Sequence, residues 1–361
     1  MKYVQSNINY AVEPQEFNKD SSKEVLQYAV GGLLYMPAST SVAHKIISGE
    51  YDFVKSIVLD LEDSLGDDMV GHGQRSITAT IAELANSIKS KDVDFNYSDL
   101  PLIFVRVRSF GQIQQTYDML GENIKYITGF NIPKFSKSNC DKYIEEFTSV
   151  LDKVHDDFDN KYELYIMPII EDKETLYRQL RMENLLYVNG ALREIADNVL
   201  NIRVGGADFC SVFGIRRGMG ETIHEIGAVK SVLNDIMNVF GKSYVVSGPV
   251  WEYFQNKDRK EDTRWKDGLI RELAKDKLNG FIGKTSIHPT QLPIIQRSLI
   301  VDSLDYEDAM SILGTNVNTT GVKKSVGGNR MNEMKTHSNW ARKIIGLARV
   351  YGVAKETNTE A

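Results

Sequence analysis

The stretch YELYIMPIIED, residues 162–172, is a nearly continuous apolar run that ends in two acidic residues. A short run of this composition is typical of a strand buried on both faces, as in a parallel sheet covered by helices. Glu171 follows the run directly, where the strand would end. The stretch therefore predicts a buried parallel strand with a charged group at its carboxyl end.

Seven further runs of the same kind occur on either side of 162–170, and longer polar stretches with helical spacing separate them. They are GGLLYMP (31–37), KSIVLDLED (55–63), LPLIFVRV (100–107), ITGFNIPK (127–134), NIRVGGAD (201–208), KSYVVSGP (242–249) and GFIGKTSI (280–287). Eight strands with intervening helices predict a closed (β/α)8 TIM barrel of the α/β class. The alternative, an open doubly wound sheet, normally has fewer strands and one visible nucleotide-binding turn.

The character of the sequence changes near Asp305. From there a short helical pattern leads into a stretch rich in Gly, Asn, Thr and Lys, and the final helical pattern is THSNWARKIIGLARVYGV. We therefore expect a barrel with an N-terminal lead-in over residues 1–304 and a C-terminal helical arm or lid over 305–361. The stretch 314–329 within that arm is expected to be flexible.

Composition excludes several classes of protein. The chain has 361 residues, of which 42% are apolar and 25% are charged, and its formal net charge is −6. The negative charge and the scattered Lys and Arg residues argue against nucleic-acid binding. The apolar runs are too short to span a membrane, the N-terminus lacks the layout of a signal peptide, and the two cysteines lack metal-binding spacing. We expect a cytoplasmic protein with no nucleic-acid or membrane partner.

Acidic and basic residues follow most of the predicted strands, at the end where TIM barrels place their active sites. Glu171 and Asp208 follow the fifth and sixth strands, which are neighbours in a barrel. Magnesium takes oxygen ligands and commonly binds one or two carboxylates, with water or substrate in the other positions. The pair therefore predicts a site for Mg2+ or Mn2+.

Charged residues also end the second and third strands. The Arg106 guanidinium is suited to holding a carboxylate or a developing enolate oxygen through paired hydrogen bonds. Asp60, Glu62 and Asp63 could orient metal-bound water, although one of them could equally cap the next helix. Cleavage of a β-hydroxy acid needs a base and a stabiliser of the resulting enolate, and a divalent ion beside an arginine supplies the stabiliser.

The segments LDLEDSL, VRV, IPK, PIIE, GGADF and GKTSIHPTQ occur in an order and spacing that resembles the citrate lyase β-subunit family, which includes malyl- and citramalyl-thioester lyases. The resemblance covers roughly residues 31–300. It implies a magnesium-dependent carbon–carbon bond lyase of the aldolase type. It also implies a homo-oligomer, a trimer or hexamer.

The resemblance further implies individual roles for site residues. Glu171 and Asp208 would be the metal ligands, and Arg106 would bind the substrate carboxyl or oxyanion. Glu62 and Asp63 would act in catalysis by supporting metal-bound water, and Lys134 and His288 would line the mouth of the site and bind substrate. Relatives carry a general acid/base in a Met-x-Asp pattern near the C-terminus, often delivered to a neighbouring subunit. Here the corresponding stretch is RMNEM, which implies that Glu333 is the catalytic acid/base.

The sequence departs from the family pattern in ways that leave the substrate open. Ser39, Thr40 and Ser41 occupy a turn in which relatives commonly have an arginine near the carrier or substrate. Arg108 and the pair Arg216–Arg217 add positive charge that could meet an extra anionic group or simply face solvent.

We therefore predict a lyase or condensing enzyme that acts through a metal-stabilised enolate on a small β-hydroxy or keto acid, or on its thioester. The alternatives are a phosphoenolpyruvate- or pyruvate-using transferase on the same scaffold and a catalytically inactive binding subunit.

Overall fold

A computed structural model describes residues 1–90, 94–314, 321–325, 327–328 and 330–355. These residues form two compact units. The larger unit is residues 18–295, and the smaller unit combines residues 1–17 with residues 296–361. The predicted division after residue 304 stays a prediction.

The strands and α-helices are numbered in chain order through the described residues. The strands are β1 Tyr10–Val12, β2 Gly32–Pro37, β3 Ser56–Asp60, β4 Leu102–Arg106, β5 Gly129–Ile132, β6 Tyr165–Ile170, β7 Arg203–Val204, β8 Lys284–Ser286, β9 Val301–Asp302, β10 Val322–Lys324, β11 Met331–Glu333 and β12 Val353–Ala354. The helices are α1 Lys23–Ala29, α2 Ala43–Ile47, α3 Val70–Ser90, α4 Gln112–Leu120, α5 Cys140–Asp157, α6 Lys173–Leu176, α7 Arg178–Glu194, α8 Gly206–Val212, α9 Gly227–Phe240, α10 Arg264–Leu278, α11 Leu292–Ser298, α12 Ser303–Leu313 and α13 Ser338–Tyr351.

The larger unit is built on a parallel sheet in the order β7-β6-β5-β4-β3-β2-β8. The predicted strand at 242–249 closes the circle through isolated parallel bridges, from Val246 to Ile202 and from Gly248 to Lys284. Its backbone bonds to both neighbours, since Ser247 N donates to Ile202 O at 2.9 Å and Ile282 N donates to Val246 O at 2.9 Å. All eight predicted strand positions are therefore present, and the (β/α)8 fold is confirmed.

Hydrophobic spacing explains why the connecting segments form helices that cover this sheet. The buried residues of α5 recur every three or four positions and therefore form one face. They are Cys140, Tyr143, Ile144, Phe147, Val150, Leu151 and Val154. Strand β4 is buried at every position, as expected for a strand with side chains facing both the barrel interior and the helices.

The smaller unit contains the three-stranded sheet β1-β12-β9, in which β12 runs antiparallel to β1 and parallel to β9. Helices α12 and α13 pack against each other in this unit, and β10 and β11 form an antiparallel hairpin. The predicted C-terminal helical extension is confirmed. Searching the described residues finds no helix that is both long enough and apolar enough to span a membrane.

Candidate active site

Asp60 and Arg106 end neighbouring strands of the barrel and form a two-point ion pair. They are register partners on β3 and β4. Arg106 Nε donates to Asp60 Oδ1 at 2.6 Å, and Nη2 donates to Oδ2 at 2.8 Å. Burial acts to raise the pKa of Asp60, but the hydrogen bonds and charge of Arg106 hold that pKa below its ordinary value. This pairing fixes the plane of the guanidinium.

The remaining edge of Arg106 faces two more acids. Nη1 lies 3.1 Å from Glu62 Oε2 and 3.2 Å from Asp63 Oδ2. The buried Glu62 also pairs with the Lys134 ammonium through its other oxygen. Burial raises the pKa of Glu62, although both cations lie against it. The structure thus brings together Arg106, Glu62, Asp63 and Lys134, and their predicted catalytic and binding roles stay predictions.

Lys134 reaches the site through its backbone as well as its side chain. Its φ is 48°, in the left-handed region that non-glycine residues rarely adopt. In this conformation its backbone N–H donates to Glu171 Oε1 at 3.1 Å. Such a conformation costs about 1–3 kcal/mol and persists only where the surrounding structure holds it. The loop after β5 therefore orients a hydrogen-bond donor toward Glu171.

Glu171 and Asp208 lie close enough to each other to interact electrostatically. Burial and the charge of Asp208 raise the pKa of Glu171 to about 8. Burial and the charge of Asp63 raise the pKa of Asp208. The backbone at Gly205 packs closely against Glu171, because a Cβ added there would overlap the Glu171 carboxylate.

This pair fits a divalent cation. Two adjacent carboxylates, one of them buried, repel each other, and a divalent ion between them would neutralise both. Across the part of the chain that the structure describes, no group of three or more His, Cys, Asp or Glu side chains is arranged to hold a metal. Two carboxylates with open positions for water and substrate suit Mg2+, which rarely occupies a complete protein cage.

A cavity of about 390 Å³ joins these groups at the carboxyl end of the barrel. Its lining consists of Tyr35, Met36, Pro37, Asp60, Asp63, Ser64, Arg106, Ile169, Glu171, Val204, Gly205, Ala207, Asp208, Val250, Thr285 and Ile287. Its volume suits a small molecule. Arg106 and the Glu171–Asp208 pair therefore share one cavity.

His288 follows β8 but does not line this cavity. Its Nδ1 lies 2.8 Å from Thr290 Oγ1, and its ring stacks on Phe254 with ring centres 4.6 Å apart. Burial lowers the pKa of His288. Its predicted place at the mouth of the site stays a prediction.

Glu333 belongs to the smaller unit, where it is the last residue of β11. Its carboxylate accepts from Thr336 Oγ1 at 2.6 Å, and its backbone N–H donates to His337 Nδ1 at 2.9 Å. Much of the predicted flexible stretch 314–329, namely 315–320, 326 and 329, lies outside the described residues. The catalytic role of Glu333 stays a prediction.

The additional arginines have different environments. Arg108 is held by Asp67 and by the Leu65 carbonyl at 3.3 Å, and Arg216 is exposed. Arg217 is buried and pairs with Glu272 at 2.5 Å and Glu252 at 3.2 Å. Arg217 therefore neither faces solvent nor has a free edge for another anion.

Three residues in or beside the cavity were not predicted from the sequence. Tyr35 on β2 and Thr285 on β8 line its wall, and Arg203 on β7 donates to Thr285 Oγ1 at 2.6 Å. The one available signal was the charged residue inside the apolar run NIRVGG. An arginine at the centre of a barrel strand must point either at the helices or into the barrel.

Comparisons with known proteins agree with this architecture. The profile of the C–C bond lyases of the TIM-barrel fold matches residues 24–353. The chain is similar in structure to a citrate lyase from Burkholderia xenovorans LB400, with a TM-score of 0.63 and 12% identity over 91% of this chain and 94% of that chain. It is also similar to CitE from Mycobacterium tuberculosis in complex with magnesium, acetoacetate and coenzyme A, with a TM-score of 0.54 and 17% identity over 89% of this chain and 99% of that chain. No protein of curated function matches the sequence.

Proposed function

The chain belongs to the C–C bond lyases of the TIM-barrel fold, and on that basis we propose that it is a magnesium-dependent lyase or condensing enzyme acting on a small β-hydroxy or keto acid. The observation that carries this proposal is the Glu171–Asp208 pair beside Arg106 in one cavity of about 390 Å³. The pair would hold Mg2+ or Mn2+, and the cavity size favours a small acid over a bulky one.

A bound divalent ion would supply a Lewis acid that stabilises negative charge on a substrate oxygen. The protein itself contributes by holding the side chains that would contact the substrate in fixed positions. Asp60 fixes the Arg106 guanidinium by two hydrogen bonds, at 2.6 and 2.8 Å. Nη2 has a second N–H that Asp60 does not use, and Arg106 can donate it to the carboxylate or the enolate oxygen of a bound acid without first reorganising. The buried Glu62 pairs with both Arg106 and Lys134, and so holds the two cations next to each other.

Thermal denaturation with and without Mg2+ tests the metal site. Chelator-treated parent protein should gain stability on titration with Mg2+, by about 2.7 kcal/mol at one hundred times the dissociation constant. Glu171→Gln and Asp208→Asn should each abolish the gain while the barrel stays folded, because each removes one anionic ligand. Glu183→Gln is a matched control, since Glu183 is an exposed acid that pairs with Lys137 and lies outside the cavity. If the double variant at 171 and 208 binds Mg2+ as tightly as the parent, the assignment is wrong.

A further inference from the structure

The Tyr35 hydroxyl lies inside the barrel, away from the strand that carries it. Tyr35 is on β2, yet its hydroxyl accepts from Asn131 Nδ2 on β5 at 2.6 Å. Two strands, β3 and β4, separate β2 from β5 in the sheet, so this hydrogen bond crosses the barrel interior. Tyr35 lines the cavity, and the fully buried Asn131 lies behind it. The hydroxyl is therefore positioned at the inner end of the cavity.

Two guanidinium groups act on Tyr35. The guanidinium carbon of Arg106 lies 5.3 Å from the centre of the Tyr35 ring. Arg203 is 1% exposed, and its charge is the largest that acts on the Tyr35 hydroxyl. Arg106 is paired with Asp60, but within the described part of the chain no carboxylate forms an ion pair with Arg203, and its Nε and Nη1 have no hydrogen-bond partner. Tyr35 therefore has an unbalanced buried positive charge beside it.

This environment suits a phenol that gives up its proton for a short time. Burial raises the pKa of Tyr35, although the charges of Arg203 and Arg106 act to lower that pKa, so the hydroxyl is protonated at neutral pH. Its proton has no acceptor among the described residues and is available to a ligand. A guanidinium stays protonated, so the cost of the isolated charge on Arg203 falls only when a negative charge forms near it. A tyrosinate at position 35 is such a charge.

We propose that Tyr35 is a catalytic residue that donates a proton to the enolate carbon. In the cleavage direction, the C–C bond breaks, its electron pair forms the enolate, and the proton of the substrate hydroxyl goes to the base. The enolate carbon then takes the proton of Tyr35 Oη, so that a C–H bond forms, the O–H bond breaks and a tyrosinate remains. The proton held by the base returns through solvent and restores the phenol. The inference rests on the proposed function and adds a residue to its mechanism.

Hydrogen exchange into pyruvate measures this step in isolation. The methyl hydrogens of pyruvate exchange with D2O through an enolate, and the tyrosinate would remove them by reversal of the proposed step. With saturating Mg2+, the full chain should speed this exchange well above the rate with Mg2+ alone, as followed by proton NMR. Tyr35→Phe should slow it at least about a hundredfold, while the affinities for Mg2+ and pyruvate change less than about threefold. Tyr126→Phe is the control, since Tyr126 is a buried tyrosine that precedes β5 and does not line the cavity.

Arg203→Met separates a role in charge from a role in packing. Arg203 acts through Tyr35 and is therefore a positioning residue. Without its charge the tyrosinate forms less readily, so exchange should fall at least about tenfold at neutral pH and recover as the pH rises. Arg203→Lys should restore part of the rate at neutral pH. The other charged groups that act on Tyr35 are Arg106, Asp60 and Glu171, and they are unchanged in these variants.

Exchange by Tyr35→Phe within a few-fold of the parent overturns the role of Tyr35, and so does an equal loss in Tyr126→Phe. A loss in Arg203→Met that does not recover at high pH overturns the role of the Arg203 charge. Magnesium binding is measured in the same samples. If the parent binds no Mg2+, or binds it without exchanging pyruvate hydrogens, the proposed function itself is contradicted. If the parent exchanges them and Tyr35→Phe does so equally well, only the inference about Tyr35 fails.

Discussion

At the scale of single residues, the acids at the mouth of the barrel differ in how well their negative charge is balanced. Asp60 has Arg106 on both of its oxygens, and its pKa is lowered. Glu171 has one backbone N–H donor and an acid beside it, and its pKa is raised to about 8. The metal-free protein therefore holds a proton at Glu171 under conditions in which an exposed glutamate would have lost it.

This pKa predicts a pH dependence of stability in the absence of metal. Because the pKa of Glu171 is raised from its ordinary 4.5 to about 8 on folding, the folded state binds an extra proton between these values. The stabilisation is fully present below about pH 4.5 and is lost as the pH rises through about 8. One such group lowers the free energy of unfolding by at most about 1.4 kcal/mol per pH unit.

Denaturant unfolding in chelator at a series of pH values between 5 and 8.5 measures this slope. Glu171→Gln should have a flatter slope than the parent, whereas Glu183→Gln should keep the parental slope, because the pKa of the exposed Glu183 is lowered by Lys137. Saturating Mg2+ should also flatten the parental slope, since the ion favours the ionised carboxylate. Parallel curves for the parent and Glu171→Gln would contradict the prediction.

The site residues that could be predicted from the sequence are those near the end of a strand. Arg106 is the last residue of β4, Glu171 directly follows β6, and Asp208 lies in the first turn of α8 after β7. The barrel brings such positions to one end. The partners of these groups could not be predicted in the same way. Asp60 binds Arg106 across 46 positions of sequence, a pairing set by strand register. Tyr35 and Thr285 lie within strands. A residue within a strand can line the cavity or pack in the core, and which of the two it does depends on the direction of its side chain.

At the scale of elements, short loops after the strands decide the geometry of the site. The loop after β7 passes so close to Glu171 that a side chain at Gly205 would overlap its carboxylate. The loop after β5 holds Lys134 at a φ of 48°, which turns its N–H toward the same carboxylate. Close packing of backbone around Glu171 therefore restricts where this acid can lie.

Gly205→Ala is predicted to disturb the metal site without removing any ligand. The added methyl group must displace the Glu171 carboxylate, and overpacking of this kind costs about 1–3 kcal/mol. We expect Mg2+ affinity to fall at least about tenfold. Gly190→Ala is the control, because a Cβ there meets nothing within 4 Å and α7 should gain stability from alanine. Denaturant unfolding and Mg2+ titration measure both effects, and parental Mg2+ affinity in Gly205→Ala would show that Glu171 tolerates the displacement.

The positions of the strands could be predicted, because each strand is a short apolar run. The regularity of the hydrogen bonding between neighbouring strands could not. The run at 242–249 forms only isolated bridges, to Ile202 and Lys284, where a regular ladder was expected. Among the described residues, the run still bonds to both neighbours, through two backbone hydrogen bonds with Ile202 and three with residues 282–285. Apolar composition indicates that a segment is buried, whereas ladder regularity depends on the twist of the strands beside it.

At the scale of the whole molecule, the chain termini share one unit. Residues 1–17 were expected to lead into the barrel, yet β1 pairs with β12 and the Tyr3 ring packs on Tyr351 with centres 4.6 Å apart. Strands of two or three residues carry too little hydrophobic pattern to be recognised in a sequence. The smaller unit therefore depends on both ends of the chain, and it also carries Glu333.

The prediction that belongs to this scale is that Glu333 serves as the general acid/base of the reaction. Its carboxylate is half-buried and accepts one hydrogen bond, from Thr336 Oγ1 at 2.6 Å, so acceptor capacity remains for a substrate hydroxyl. Neighbouring His337 is a poorer candidate than Glu333, because its Nδ1 already accepts the Glu333 N–H at 2.9 Å. Loss of a positioned base typically costs roughly 10²- to 10⁴-fold in rate.

Glu333→Gln keeps the shape of the side chain and an oxygen that can accept from Thr336, but removes its basicity. Turnover should be measured on whichever small β-hydroxy acid the parent cleaves fastest, and we expect the variant to lose at least about a hundredfold in kcat with little change in Mg2+ affinity. Thr336→Val is the control, because it removes the hydrogen bond between Thr336 and residue 333 and leaves the carboxylate intact. Mixing Glu333→Gln with Glu171→Gln subunits should restore activity if the arm serves a neighbouring subunit, since each variant would then supply what the other lacks. Turnover of Glu333→Gln within a few-fold of the parent would instead make Glu333 a hairpin residue, with the base to be sought among the acids that line the cavity.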